Sequence, residues 1–234
     1  MGDFRGAGCF VTGTDTGVGK TVVSCALIAE LRARGFSVGA IKPIETGVGA
    51  AGPLDAIALR AAAGASVALD VICPQQFALP AAPNVAARAE SREVDLAAIE
   101  AAFREIAVGR DFVVAEGAGG LLVPIKDDYN MADLARSLGL PLLIVARGAL
   151  GTINHTRLTL EAAAARSLPV IGVVISHAAG ELSPADASNL CALRAELGDR
   201  LIAEIPALKP GTSAPLGAVS TIAEAVSLSS KTST

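Results

Sequence analysis

The chain has 234 residues, is 52% hydrophobic and 3% aromatic, and sets 19 Lys+Arg against 23 Asp+Glu for a net charge of −4. That length suits one α/β domain with a full core. The acidic balance and the scarcity of rings leave no electrostatic footprint and no stacking platform for nucleic acid, and the longest apolar stretch, LGLPLLIVA from Leu138, is too short to cross a bilayer.

With no charged-then-apolar opening segment, a soluble cytoplasmic protein is expected. Cys9, Cys25, Cys73 and Cys191 lack CxxC spacing, so they read as buried reduced thiols rather than as a metal or redox set.

Short apolar runs alternate with helical patterns along the chain, as in βαβ units of a parallel sheet. GCFVT (residues 8–12) is the first strand candidate. Val23, Leu27 and Leu31 then recur every four residues in a helix that Gly35 stops. SVGAIK (37–42) is the second strand, and a loop is expected over residues 44–55, rich in Gly and Ala with Pro53. Asp95 is placed to cap a helix whose Leu96, Ile99, Phe103 and Ile106 share one face. FVVAE (112–116) and LLIVA (142–146) are strands three and four.

A helix follows Gly151. VIGVVIS (170–176) comes next, then a helix capped at Ser183-Pro184, and LIAEI (201–205) is the last strand. The tail from about 227 to 234 is polar. Without repeats or linkers, residues 1–234 read as a single domain, a mainly parallel sheet with helices on both faces.

One motif carries chemistry. VTGTDTGVGKT begins at Val11, and Gly17-Val18-Gly19-Lys20-Thr21 lies after a strand and opens a helix, the context of a P-loop. The usual first glycine falls at Thr14, and Gly13 stands one position earlier. In such a loop the main-chain amides and the helix dipole face phosphates, the lysine neutralises β/γ oxygens and the hydroxyl holds Mg²⁺. A second Mg²⁺ anchor is expected at the end of an apolar strand. Glu116 fits there, with Gly117-Ala118-Gly119-Gly120 behind it to let main chain approach the γ-phosphate.

Taken in order, the P-loop, AIKPIETG, PLDAIAL, EGAGGLLVPI and LGTINHTRLTLEA resemble dethiobiotin synthetases, from Val11 to about Leu208. The resemblance implies a homodimeric P-loop NTPase fold and ATP- and Mg²⁺-dependent ureido ring closure on 7,8-diaminopelargonate with CO₂. It implies catalytic roles for Lys42 and Lys20, and nucleotide contacts from Gly17 to Val22 and at Glu116, Gly117, Ala118 and Gly119.

It brings Asp55 to Thr21 and Glu116 as a third Mg²⁺ ligand, although Asp55 is equally suited to cap a helix over 56–63. Thr46 corresponds to a substrate-contacting hydroxyl. Thr14 and Asp15 face the diamine or, for Asp15, brace the loop. Gly151, Thr152, Ile153 and Asn154 correspond to a helix start that receives the substrate carboxylate from the partner subunit. His155 reads as a general base or as a helix-start histidine with a structural hydrogen bond, and Arg147 as a ligand contact or a solvated loop arginine.

The pattern departs after the fifth strand, where many relatives carry Asn-Asp against the base. Here Ser176-His177 stands there, and Pro206, Ala207 and Leu208 match the other base-side stretch. His177 has no partner that the sequence identifies. A nucleotide-dependent dimeric switch of the partitioning or targeting type is the competing function. Many of those open their loop with Lys-Gly-Gly, where this one has Thr-Gly-Thr.

Overall fold

A computed structural model describes residues 7–178, 183–207 and 220–226. The six expected runs all form strands: β1 (Ala7–Gly13), β2 (Val38–Ile41), β5 (Phe112–Gly120), β8 (Leu142–Arg147), β9 (Val170–Ser176) and β10 (Leu201–Ile205). They join in one sheet in the order β10-β9-β8-β1-β5-β2, every neighbour parallel. Near-continuous apolar runs suit such a sheet because both faces are covered.

Alternate residues feed two separate cores. Phe10, Val113, Ala115, Ile144 and Ile175 point to one face, and Cys9, Val11, Val114, Val145 and Val174 to the other. The first face is covered by α5 (Leu96–Ala107), α6 (Met131–Ser137), α7 (Thr152–Ala165) and α8 (Pro184–Leu197). The second is covered by α1 (Lys20–Ala33), part of α2 (Leu54–Ala63) and the helical residues 220–226.

Local chemistry explains the helix ends. Asp95 accepts from the Ala98 N–H at the start of α5, and Ser183 forms a capping box with Asp186 at α8. Gly35 lies beyond α1 at φ +90°, the left-handed conformation glycine supplies without strain.

Six short elements were not legible in the sequence. The segment expected as a loop over 44–55 contains β3 (Ile44–Thr46), which pairs in parallel with β4 (Gln75–Phe77) after α3 (Leu69–Ile72), and α4 (Pro83–Ala89) follows. Strand β6 (Pro124–Lys126) makes an antiparallel pair with β7 (Tyr129–Asn130). The loop's own helix also starts early: α2 begins at Leu54, so Asp55 lies in its first turn instead of capping it. Among the described residues no helix is long and apolar enough to cross a membrane.

Candidate active site

At the carboxyl end of β1, between β5 and β8, the chain leaves the sheet for the glycine loop, the crevice where parallel α/β sheets place ligands. Gly17 and Gly19 have φ +71° and +95°, and Gly19 is the left-handed N-cap of α1, with no side chain capping it. The amides of Lys20, Thr21 and Val22 open the helix, where no intrahelical acceptor exists. Val18 is buried beneath the loop. Lys20 is buried too, its Nζ 3.5 Å from the Asp15 carbonyl. Burial, reinforced by the nearby Lys42 ammonium, lowers its pKa.

Lys42 follows β2 directly and is 2% exposed. Its ammonium donates to Asp55 Oδ2 and Glu116 Oε1, each at 2.7 Å, and to the Gly117 carbonyl at 3.3 Å. All three of its protons are thereby used. The Thr21 hydroxyl lies 2.8 Å from Asp55 Oδ1 and 2.9 Å from Glu116 Oε1, sharing one proton between two carboxylates. Burial alone would lower the Lys42 pKa, but the Glu116 and Asp55 charges outweigh it and hold it above its ordinary value. Burial raises the Asp55 pKa, and the Lys42 charge with hydrogen bonds from Lys42 and Thr21 reverses the sign, leaving it lowered.

Glu116 does not sit at a strand end. β5 continues to Gly120, and the carboxylate is fully buried in mid-strand. The register against β1 slips between the Val11↔Glu116 and Gly13↔Gly120 pairs, and this irregularity, with Gly119 at φ +66°, accommodates the extra length. A Cβ on Gly117 would press into the Phe10 ring at 2.8 Å, so a side chain there is excluded by the core. Ala118 is half-buried beyond it.

The cluster suits a hard divalent cation. It offers two carboxylates and a hydroxyl, all oxygen donors. Glu116 Oε2 is buried without a hydrogen-bond partner among the described residues, leaving a carboxylate oxygen that a cation would satisfy.

Other expected residues take varied positions. The Thr14 N–H donates to the Val145 carbonyl. Asp15 braces the loop through the Thr16 N–H and pairs with Arg147 at 2.6 Å, in an ion pair that solvent still reaches, with side chains 46% and 36% exposed. Thr46 ends β3, half-buried.

Gly151, at φ +88°, is the N-cap of α7 without a side-chain cap, so the amides of Thr152, Ile153 and Asn154 open that helix. Thr152 is buried, Ile153 half-buried and Asn154 exposed. His155 is exposed, and no side-chain hydrogen bond joins it to the described residues. Its N–H closes the first turn onto Gly151.

Ser176 is 1% exposed beneath the phosphate loop: a Cβ on Gly19 would collide with its hydroxyl. His177 does have a partner, Glu204, at 3.1 Å, and Glu204 also takes two hydrogen bonds from Arg194. Pro206 and Ala207 are exposed after β10, and Leu208 lies outside the described residues.

Sequence reading missed Glu45. This 7%-exposed carboxylate on β3 accepts the Asp55 N–H at Oε1 and the Ala56 N–H at Oε2, both at 3.0 Å. A helix starting at Pro53-Leu54 with no capping side chain of its own was the available signal.

A family model described as an AAA domain matches residues 7–214. A protein of Anaeromyxobacter dehalogenans (strain 2CP-C) named ATP-dependent dethiobiotin synthetase is 52% identical over 76% of this chain and 79% of its own. One of the same name from Aquifex aeolicus is 46% identical over 73% and 76%. Among solved structures, a putative plasmid partition protein of Borrelia burgdorferi bound to AMPPNP superposes with a TM-score of 0.58 at 11% identity, covering 96% of this chain and 98% of that one. A MinC:MinD cell division complex from Aquifex aeolicus gives 0.52 at 15% identity, covering 94% and 86%. At such identities the structural likeness speaks for the P-loop fold alone.

Proposed function

The chain belongs to the dethiobiotin synthetase family, and on that premise we propose that it joins 7,8-diaminopelargonate and CO₂ at the expense of ATP, giving dethiobiotin, ADP and phosphate. The observation that carries the reading is the convergence of Thr21, Lys42, Asp55 and Glu116, from four separate segments, beside the glycine loop.

One substrate amine takes up CO₂ as a carbamate, whose oxygen attacks the γ-phosphorus and expels ADP. The second amine then attacks the carbonyl carbon of the carbamic–phosphoric anhydride, closes the ureido ring and expels phosphate. The first step brings two anions together, so its barrier falls when fixed positive charge faces both. Lys20 and the loop amides serve the phosphates. Lys42, permanently charged by its two carboxylates, serves the carbamate and the transferring phosphoryl group. Thr21, Asp55 and Glu116 would hold Mg²⁺, which neutralises phosphate oxygens.

Thr14, Asp15 and Thr46 line the diamine, with Asp15 suited to its ammonium groups once Arg147 yields. The substrate carboxylate goes to the start of α7, residues 151–154, presented by one subunit of a homodimer to the site of the other. Leu150 and Leu158, 72% and 54% exposed, flank a groove of about 450 Å³ there, apolar surface that a second copy would cover. Reading of the base falls to Ser176 and His177 with Pro206, Ala207 and Leu208, Ser176 also packing under the loop.

The test is phosphate release from MgATP with and without 7,8-diaminopelargonate in bicarbonate-equilibrated buffer, with the product mass recorded. Diamine-dependent phosphate together with the dethiobiotin mass is expected. Release that ignores the diamine and answers to a macromolecular partner would move the protein to the switch class.

A further inference from the structure

We propose that Glu45 is a positioning residue for cation binding, acting through the first turn of α2 to hold Asp55 in place. Helix α2 starts without a cap: Pro53, its N-cap, has no side-chain acceptor, and the first amides of any helix lack internal partners. Two of these amides, at Asp55 and Ala56, are taken by the two oxygens of Glu45. The carboxylate is thus held bidentately at the positive end of the helix, where negative charge is favoured. One of the two tethered residues carries the side chain that meets both Thr21 and Lys42.

Placement separates this from an ordinary cap. Local caps come from the residue preceding the helix. Glu45 comes from ten residues upstream, on β3, which β4 pins through the Ile44↔Gln75, Glu45↔Gln76 and Thr46↔Phe77 pairs. It lies three residues after Lys42, across Pro43, whose ring fixes φ. One stiff segment therefore supplies Lys42 directly and Asp55 by proxy, and the 2.7 Å between their charged atoms depends on that shared footing. Outer partners of this kind orient the ligands they touch.

The inference rests on the reading that Asp55 holds Mg²⁺. Its test is calorimetric titration of ATP into the wild type, Glu45→Ala, Glu45→Gln, Asp55→Ala and the Glu45→Ala/Asp55→Ala double variant, with and without MgCl₂. Amide hydrogen exchange across residues 53–57 is followed in parallel.

Glu45→Ala should reduce the Mg²⁺ enhancement of ATP affinity by about tenfold, leave Mg²⁺-free affinity unchanged, and speed exchange at Asp55 and Ala56. Glu45→Gln keeps one acceptor and the volume, so it should fall between, and it carries the test if the alanine variant does not fold. The double variant should match Asp55→Ala. Full Mg²⁺ enhancement in both Glu45 variants, with the enhancement lost in Asp55→Ala, would make Glu45 a cap and nothing more. A wild type whose ATP affinity ignores Mg²⁺ would overturn the underlying reading, and this inference with it.

Discussion

Lys42 and Glu116 form an ion pair of 2.7 Å across adjacent strands, with side chains 3% and 0% exposed. The pairing follows from register. Ile41 of β2 lies opposite Ala115 of β5, so the next residue of each strand meets its counterpart at the end of the ladder. A buried carboxylate would be costly alone, and Lys42 answers that cost while standing at the mouth of the phosphate loop.

Replacing Lys42 therefore tests two things at once. Lys42→Ala should abolish turnover and should also destabilise the nucleotide-free protein by roughly 3–5 kcal/mol, the usual consequence of orphaning a buried charge. MgCl₂ should recover part of that loss by supplying a cation to Glu116. Thermal melts with and without MgCl₂ check this, and an unshifted melt in both would mean the pair contributes nothing to the fold.

Thr21→Val keeps shape and deletes the hydroxyl shared by Asp55 and Glu116. The expected result is about tenfold weaker ATP binding in Mg²⁺, in the range of one hydrogen bond to a charged group, with Mg²⁺-free binding unchanged. Titration in the two buffers reads the difference. Equal effects in both would place the hydroxyl on the nucleotide itself.

Gly19→Ala meets two obstacles, φ of +95° and the Ser176 hydroxyl beneath it. Left-handed backbone costs a residue with a Cβ about 1–2 kcal/mol, and the collision adds to it. ATP affinity should fall, and Ser176→Ala in the same chain should restore part of it by removing the collision but not the strain. No restoration would mean that Ser176 does not support the loop.

The charge cluster sets a pH window for the nucleotide-free protein. The folded Asp55 pKa lies below its ordinary 3.8, so its contribution to stability is complete above that value and is lost as pH falls through the folded one. The folded Lys42 pKa lies above its ordinary 10.5. Its contribution is complete below 10.5 and is lost as pH rises through the folded value. The difference in urea midpoint between wild type and Asp55→Asn should stay flat from about pH 5 to 9 and shrink in acid. A slope inside that window would contradict the assignment.

The thiols test the core. Cys9 and Cys73 are buried as expected, but Cys25 is only half-buried and Cys191, on the outer face of α8, is exposed. Burial pushes Cys25 and Cys73 up to about 12 and raises Cys9 as well, leaving them almost no thiolate at neutral pH. Native protein at about pH 8 should release colour from Ellman's reagent at Cys191 rapidly, and at all four cysteines only after unfolding. Rapid reaction of Cys73 would show that the packing around α3 and β4 is wrong.

The large sheet was legible because each of its strands is a near-continuous apolar run, a signal contained within a few residues. The small pairs were not. β3 and β4 span three residues each and meet across about thirty intervening positions, too short for any period to register. Glu116 was found as an acid after an apolar run, but its mid-strand setting depends on a slip of register with β1, which no local pattern encodes. Glu45 escaped notice for a related reason: its partners are main-chain amides ten and eleven residues on, and the residues at those positions are otherwise an ordinary helix start. His177 likewise waited on Glu204 and Arg194 arriving from β10 and α8.

The place of β5 between β1 and the edge strand β2 has one more consequence. Glu116 is paired with Val11 of β1 and stands one residue beyond the last β2 pair, Ile41↔Ala115, so most of its conformational freedom is surrendered when the sheet assembles and little remains to be lost when a ligand arrives. Asp55, 40% exposed at the start of a helix, is the more open half of the set. Heating should therefore loosen Asp55 and its helix before it disturbs Glu116.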